Sequence, residues 1–440
     1  MRLTKSGTYS VELNVMVDIR PFKAIRYTEK AGNLKNLIAQ PYDKINQDMQ
    51  REYYEKSPYN YCRLILPLEE NRYETVHQRI YEWLNERILA KDEEPAVFVC
   101  RQEFRLDGKN CNRTGLIAAL RLHAYSEGIV FPHETTYAAP KADRLNMLRT
   151  IQKDLEPVFL IYSDPENATV KFFAETAKTQ PTMEVEDEFR VKHKIWKVTD
   201  PEKIALVQKA LEAKKMVITD GHHRYESALA YRDERRKQEA WTEDDAFNFH
   251  MSYLVPVQDE GLVILPTHRL LRKFDLTIET LEALASFFEI VELDPKVAVL
   301  EGFLREHKQE HAIVIYDGTK AYGLLLKDEQ NVTKIANPKA SNAVRLLDVV
   351  ILKDVVFKTM MKTGDLKIEE DILYERSMRV ALEKVDSGEA KLAFLVNPIS
   401  PEVVWQVAQK RERLPEKSTD FYPKPVSGLV MMDVARGEKL

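Results

Sequence analysis

Cysteine is scarce: Cys62, Cys100 and Cys111 are three in 440 residues, odd in number and in no C-x-x-C spacing. That excludes a disulfide framework and a cysteine-built zinc site, and it fits a reducing cytoplasmic compartment. A basic excess is also missing. Lys and Arg number 65 against 70 Asp and Glu, for a net charge of −5. This argues against a dedicated DNA-binding surface, though a small basic pocket remains compatible with it. No apolar stretch approaches a membrane span, and the N-terminus has no signal-peptide core. The sequence holds no G-x-G-x-x-G, G-x-S-x-G or H-E-x-x-H, so dinucleotide-fingerprint, nucleophile-elbow and zinc-protease readings lose their usual signatures. There is no internal repeat and no low-complexity segment.

What remains is a chain long enough for a large core and two or three domains. Histidine is rare, ten in all, yet two stand side by side in "ITDGHHRYES". Met216-Val217-Ile218 is a short apolar run that reads as the end of a buried strand. Asp220-Gly221 is a turn signal. From Tyr225 on, helix formers dominate, with Tyr225, Ala228 and Leu229 at i, i+3, i+4. The stretch reads as strand, tight turn, helix N-terminus. Asp220 can cap the first amides, and Gly221 lets the backbone bend or approach a ligand. A helix N-terminus offers N–H groups and the positive dipole end. His222, His223 and Arg224 placed there make an anion site, with phosphate the expected ligand. The plainer alternative is that Arg224 pairs with a neighbouring carboxylate and the histidines are merely polar.

Along the chain, strands are expected in "DIRPFKAIRY", "YCRLILP", "VFLIYSD", "HKIWKVTD" and "KKMVITD". "AVFVCRQEF" and "RTGLIAALRLHAY" read as a hairpin around "DGKN". Helices are expected over 47–56, 73–91, 141–153 and 201–213. "FNFHMSYLVPV" and "GLVILPTHRLL" look like a strand pair. Residues 274–327 carry an α-β-α-β-β pattern. A helix is expected near "LLDVVILKDVVFKTMM", a strand at "KLAFLVN", and a further helix opening at Ser400-Pro401. The class is α/β mixed (α+β).

Other polar clusters are weaker alone. "PHETTY" sets His133, Glu134 and Thr135 in a loop. "KADRLNMLR" sets Lys141, Asp143 and Arg144 in the first turn of a helix, where capping and a surface ion pair are the plain reading. "QPYD" places Asp43 in a turn. His268 in "LPTHRLL" reads as a core histidine. Lys417, Ser418 and Thr419 form a loop able to grip phosphate, without the glycines of a P-loop. A zinc site from His133, His222 and His223 ranks below phosphate, since no i, i+4 histidine pair exists.

Taken together, "RPFKAIRY", "QPYD", "PHETTYAAPKADRLNMLR", "VITDGHHRYESALAYRDE", "LPTHRLL" and "PEKSTDFYPKPVSGLV" resemble, in this order, the bacterial family known as domain of unknown function ten-fifteen. The resemblance covers nearly the whole chain from Met16. It implies a ParB/sulfiredoxin-like core over 16–272. The leader 1–15 lies outside the resemblance and is expected to be flexible. Residues 273–330 are expected to form a small inserted α/β unit, and 331–440 to complete the core. The inserted unit and much of the tail have no counterpart in the small superfamily members. In that superfamily the equivalent of Asp220 to Arg224 binds nucleotide phosphates. Sulfiredoxin chemistry needs a cysteine where His222 stands. ParB proteins carry a helix-turn-helix and a basic surface, which are not evident here. The free-serine kinases are the better match. The resemblance therefore implies a nucleotide-dependent phosphotransferase acting on a small hydroxylated metabolite, with free L-serine the first candidate. The alternative is a non-catalytic nucleotide- or phosphometabolite-binding regulator.

On the kinase reading Glu134, Asp220 and His222 are catalytic. Gly221, His222, His223, Arg224, Arg144, Lys141, Lys417, Ser418 and Thr419 bind phosphate or nucleotide. Asp220 helps hold Mg²⁺, and ATP or ADP is the donor. The partner is a small-molecule substrate, not a membrane or a nucleic acid.

Overall fold

The hairpin expected around "DGKN" is the organising element of the first half. Val97–Leu106 and Lys109–Arg121 pair antiparallel from Phe98↔Ile117 to Leu106↔Lys109. Asp107 and Gly108 both have positive φ, the backbone twist that a two-residue hairpin loop requires. The computed structural model describes residues 16–134, 138–336, 340–363, 371–415 and 417–440. The leader 1–15 and Thr135 lie outside them.

The chain divides into two units. The first comprises 1–132, 136–262 and 423–440. Its centre is a nine-stranded mixed sheet. The order runs Val130–Pro132, Met216–Asp220, Val158–Tyr162, Phe249–Pro256, Lys109–Arg121, Val97–Leu106, Lys192–Val198 and Met183–Glu186, and Ile19–Arg20 also pairs with Lys109–Arg121. Met216–Asp220 is buried along its whole length. It runs parallel to Val130–Pro132 and antiparallel to Val158–Tyr162, with a register shift between Ile218 and Asp220. Such irregularities re-aim a side chain. The helix His222–Gln238 leaves this strand after one residue and packs on the helix Ala138–Ile151.

A second apolar cluster lies under the helices Gln47–Lys56, Cys62–Ile65 and Arg72–Asn85, with Tyr53, Tyr61 and Trp83 in its core. Here two expectations fail. "YCRLILP" is not a strand. Asn60 accepts the Cys62 N–H through its side chain and starts a short helix, Cys62–Ile65. A short apolar run fits a buried helical turn as well as a strand. The helix expected over 73–91 stops at Asn85, because Arg87 takes a left-handed φ and the Ile88 N–H turns back to the Trp83 carbonyl. Leu89–Lys91 then forms a strand with Ile25–Tyr27.

The second unit comprises 133–135 and 263–422. Its six-stranded antiparallel sheet runs Phe288–Leu293, Ala321–Leu326, Ile313–Tyr316, Leu392–Val396, His268–Leu271 and Ile372–Glu375. The α-β-α-β-β pattern over 274–327 is present in order, and its strands share this sheet with one earlier strand, His268–Leu271, and two later ones. Gly323 is required there, since a Cβ would sit 2.4 Å from the Phe303 ring. The expected pairing of "FNFHMSYLVPV" with "GLVILPTHRLL" is not formed. Phe249–Pro256 lies between Lys109–Arg121 and Val158–Tyr162, while Val263–Leu265 pairs with Asp420–Tyr422. Both edges of a fully buried strand are claimed by distant partners, which adjacency in sequence does not report. Among the described residues no helix is long and apolar enough to cross a membrane.

Candidate functional site

The D-G-H-H-R turn sits where a buried strand hands over to a 17-residue helix. Gly221 carries the reversal at φ +87°. Arg224 folds back over it: a Cβ on Gly221 would lie 2.9 Å from Arg224 Nε and 3.0 Å from Cζ. Arg224 Nη2 donates to Asp220 Oδ2 at 2.6 Å, and Nη1 donates to the Pro157 carbonyl at 2.7 Å. Its Nε is buried without a hydrogen-bond partner among the described residues. Asp220 does not act as a side-chain cap; its other oxygen, Oδ1, accepts from Lys424 Nζ at 2.6 Å. Burial opposes the charge on Asp220, but Lys424 and Arg224 outweigh it and hold the carboxyl far below the usual range. The result is a buried carboxylate between two cations at a helix N-terminus.

Lys424 was not among the residues singled out from sequence. It is fixed from the sheet side. Gln102 Nε2 donates to the Lys424 carbonyl at 3.1 Å, and Arg113 donates to the Pro423 carbonyl. Arg113 also donates to Gln102 Oε1, and its guanidinium lies 4.6 Å over the Phe159 ring. Arg113 is fully buried. A charge is tolerated there because carbonyl, amide and aromatic faces all meet it.

The "QPYD" turn joins this unit. The Tyr42 N–H donates to Glu156 Oε1 at 3.2 Å, and Ser427 Oγ donates to the same oxygen at 2.9 Å. The Arg144 guanidinium lies 4.2 Å over the Tyr42 ring. Burial raises the Glu156 carboxyl despite the nearby charges of Arg224 and Arg144. Asp43 interacts electrostatically with Arg224 and Glu156. Asp143 is engaged by Arg72, Tyr73 and Arg144, and these partners overcome its burial and hold it below the usual range. That makes it a poor proton acceptor. Lys141 Nζ lies 3.3 Å from Glu226, and its carbonyl accepts from Ser227 Oγ.

In the second unit, His133 is fully buried, with Nε2 2.8 Å from Thr419 Oγ1. Glu134 Oε1 accepts from Thr419 Oγ1 at 3.1 Å. Lys417 has a left-handed φ of 55°, and its carbonyl accepts from Arg269 Nη2. Ser418 Oγ donates to the Pro415 carbonyl. His268 is buried and accepts the Val396 N–H, and burial pulls its pKa down to about 4. The candidate residues thus fall into two sets. Asp220, Gly221, His222, His223, Arg224, Lys141 and Arg144 belong to the first unit, and Glu134, Lys417, Ser418 and Thr419 to the second. Among the described residues no three His, Cys, Asp or Glu side chains group as a metal centre would need.

No curated protein matches the sequence. Among solved structures the chain is similar to a free serine kinase variant in complex with AMP, at 14% identity and a TM-score of 0.35, covering 70% of this chain and 88% of that one. It is similar to a conserved hypothetical protein from Pyrococcus furiosus at 15% identity and a TM-score of 0.31, covering 70% and 91%. It is also similar to C-terminally truncated SbnI from Staphylococcus aureus at 11% identity and a TM-score of 0.31, covering 71% and 88%. The family described as protein of unknown function (DUF1015) matches residues 19–350, most of the chain, and the protein belongs to that family.

Proposed function

We propose that this protein is a nucleotide-dependent phosphotransferase of ParB/sulfiredoxin type, acting on a small hydroxylated metabolite with free L-serine the first candidate. The observation that carries the reading is the gathering of two cations, Arg224 and Lys424, at the start of the helix His222–Gln238, with Arg224 also meeting the plainer expectation by pairing with Asp220. Two cations and a helix N-terminus suit the phosphates of ATP or ADP. His222, His223 and the Gly221 turn complete that wall, with Arg144 and Lys141 on the neighbouring helix.

The chemistry of these residues also suits a nucleotide-borne Mg²⁺. Such an ion is held largely by phosphate oxygens and one or two carboxylates, and Asp220 is the carboxylate assigned to it, with Asp43 a second acid near Arg224. When bound, it neutralises charge that develops on the transferring group. Phosphoryl transfer asks the protein mainly for position and charge, so no covalent nucleophile is required. Glu134 is assigned to orient the acceptor hydroxyl and take its proton. Lys417, Ser418 and Thr419 are assigned to steady phosphate.

A second reading has one observation in its favour. Asp220 is held ionised by two cations and is a weak base, as expected of a ligand-binding turn without turnover. Incubation with ATP or ADP, Mg²⁺ and a panel of hydroxylated metabolites separates the two. The kinase reading expects a phosphorylated product, and Glu134→Gln expects turnover down by about 10²–10⁴ with nucleotide affinity kept. Nucleotide binding with no product from any acceptor favours the regulator.

A further inference from the structure

A cavity of about 480 Å³ lies at the far end of the helix His222–Gln238, with walls from three stretches of the first unit. Arg149 and Gln152 stand at the end of the helix Ala138–Ile151, Tyr231, Arg235 and Glu239 around the last turns of His222–Gln238, and Arg436 in the C-terminal segment. Both carboxylates in the wall are neutralised. Glu234 accepts from Arg149 through both oxygens, at 2.9 and 2.5 Å. Glu239 accepts from Arg235 Nε through Oε1 and meets Arg436 Nε at 2.8 Å through Oε2. Arg149, Arg235 and Arg436 face only these two glutamates, so one positive charge is left over.

Donors are left over too. Arg235 is only 8% exposed, and its Nη2 is buried without a hydrogen-bond partner among the described residues. The guanidinium is fixed in place: Nε holds Glu239, Nη1 donates to the Tyr231 hydroxyl, and the Phe247 ring lies 4.9 Å from it. Because the Tyr231 hydroxyl accepts from Arg235, its own hydrogen is free to donate, and no described residue takes it. The side-chain amides of Gln152 and Gln238 make no hydrogen bond with a described residue. A buried cationic N–H left unsatisfied is costly, and an acceptor brought by a ligand relieves it.

We propose that this cavity is a second ligand site, separate from the D-G-H-H-R turn, for a small polar metabolite carrying a phosphate or carboxylate group. Such an oxyanion accepts from Arg235 Nη2 and the Tyr231 hydroxyl and meets the surplus charge. The rest of the ligand is polar, since no side chain in the wall is aliphatic and Gln152 and Gln238 offer amides to hydroxyl groups. Arg235 follows Arg224 on the same helix by three turns, about 16 Å along the axis, too far for one phosphate group to touch both. The negative end of the helix opposes an anion here by at most about fivefold in affinity, against about tenfold or more for one charge-assisted hydrogen bond.

The test is calorimetric titration of the full chain, wild type and Arg224→Gln, with inorganic phosphate, glucose 6-phosphate, citrate and glucose. At least one of the three oxyanions is expected to bind both chains, and glucose at least about tenfold more weakly, the scale of one charge-assisted hydrogen bond. Tighter binding of glucose 6-phosphate assigns a phosphorylated ligand, and tighter binding of citrate a carboxylated one. Arg235→Lys keeps the charge without Nη2 and is expected to lose oxyanion affinity by about tenfold. Glu239→Gln keeps an oxygen for Arg235 Nε and removes a negative charge, so it is expected to bind about threefold tighter, a gain that a merely structural role would not give. Should Arg235→Lys not fold, Glu239→Gln decides. The site is overturned by absence of saturable oxyanion binding, by equal binding of glucose, or by binding that disappears in Arg224→Gln and so belongs to the turn. It is overturned equally by affinity unchanged in a folded Arg235→Lys or not raised in Glu239→Gln.

Discussion

Lys424 Nζ donates to Asp220 Oδ1 at 2.6 Å, across 204 positions of sequence, and shares that carboxylate with Arg224. The pair ties the last segment of the chain to the D-G-H-H-R turn. Replacing Lys424 by Met removes one cation while Arg224 still holds Asp220. Nucleotide affinity should fall by about 1.5–3 kcal/mol, the value of a hydrogen bond to a charged group, with the fold retained. Titration calorimetry beside a thermal melt reads both quantities.

The same pair fixes a pH dependence. Burial resists the charge on Asp220, and Lys424 with Arg224 overcomes that resistance, so the folded carboxyl titrates below its unfolded value. A depressed carboxyl contributes stability that is complete above the unfolded pKa, about 3.9, and is lost as pH falls through the folded one. The stability difference between wild type and Lys424→Met should therefore be flat above about pH 5 and shrink below about pH 4. Urea midpoints across that range show it. A difference that does not change down to acid denaturation would mean that Lys424 acts by packing.

Gly221 combines a left-handed φ with the Arg224 guanidinium pressed against it. Gly437 has a similar φ of +81° and nothing within 4 Å. Gly437→Ala should cost only the backbone strain, about 1 kcal/mol. Gly221→Ala should cost about 1–3 kcal/mol and weaken nucleotide binding as well, because Arg224 must move. Equal costs in chemical denaturation would show that the guanidinium yields freely.

Arg113 and Gln102 hold the Pro423 and Lys424 carbonyls. If Arg113 acts through Lys424, its effect on nucleotide binding should vanish once Lys424 is gone. In a double-mutant cycle, Arg113→Met with Lys424→Met should then bind nucleotide about as Lys424→Met does alone. Additive losses would assign Arg113 to general stability of the sheet.

The local frame of the turn was legible in the sequence. Met216 to Ile218, Asp220-Gly221 and the helix formers after it became strand, reversal and helix at the expected places. The hairpin at Asp107-Gly108 and the helix start at Ser400-Pro401 were legible for the same reason: turn and cap chemistry is local. The chain as a whole is a mixed α/β protein with several sheets, as its alternating patterns suggest.

What could not be read depends on distance. Lys424 sits in a loop whose neighbours Lys417, Ser418 and Thr419 look more like phosphate ligands, and its own partner is 204 residues away. Glu156 is one glutamate between Leu155 and Pro157, and only the fold brings Tyr42 and Ser427 to it. The Asp143 carboxylate, expected to cap its helix or join a surface ion pair, is taken by Arg72 and Tyr73 from another helix. Counting charges along a chain does not reveal which are already paired.

The central claim is that the turn Asp220 to Arg224 binds the phosphates of a nucleotide. Equilibrium titration with ADP, followed by competition with inorganic phosphate, tests it most directly. The wild-type chain should bind one nucleotide per chain, phosphate should displace it, and Arg224→Gln should weaken it by at least about tenfold, the loss of one charge-assisted contact. Absence of saturable binding to the wild type, or undiminished binding to a folded Arg224→Gln, would contradict the account.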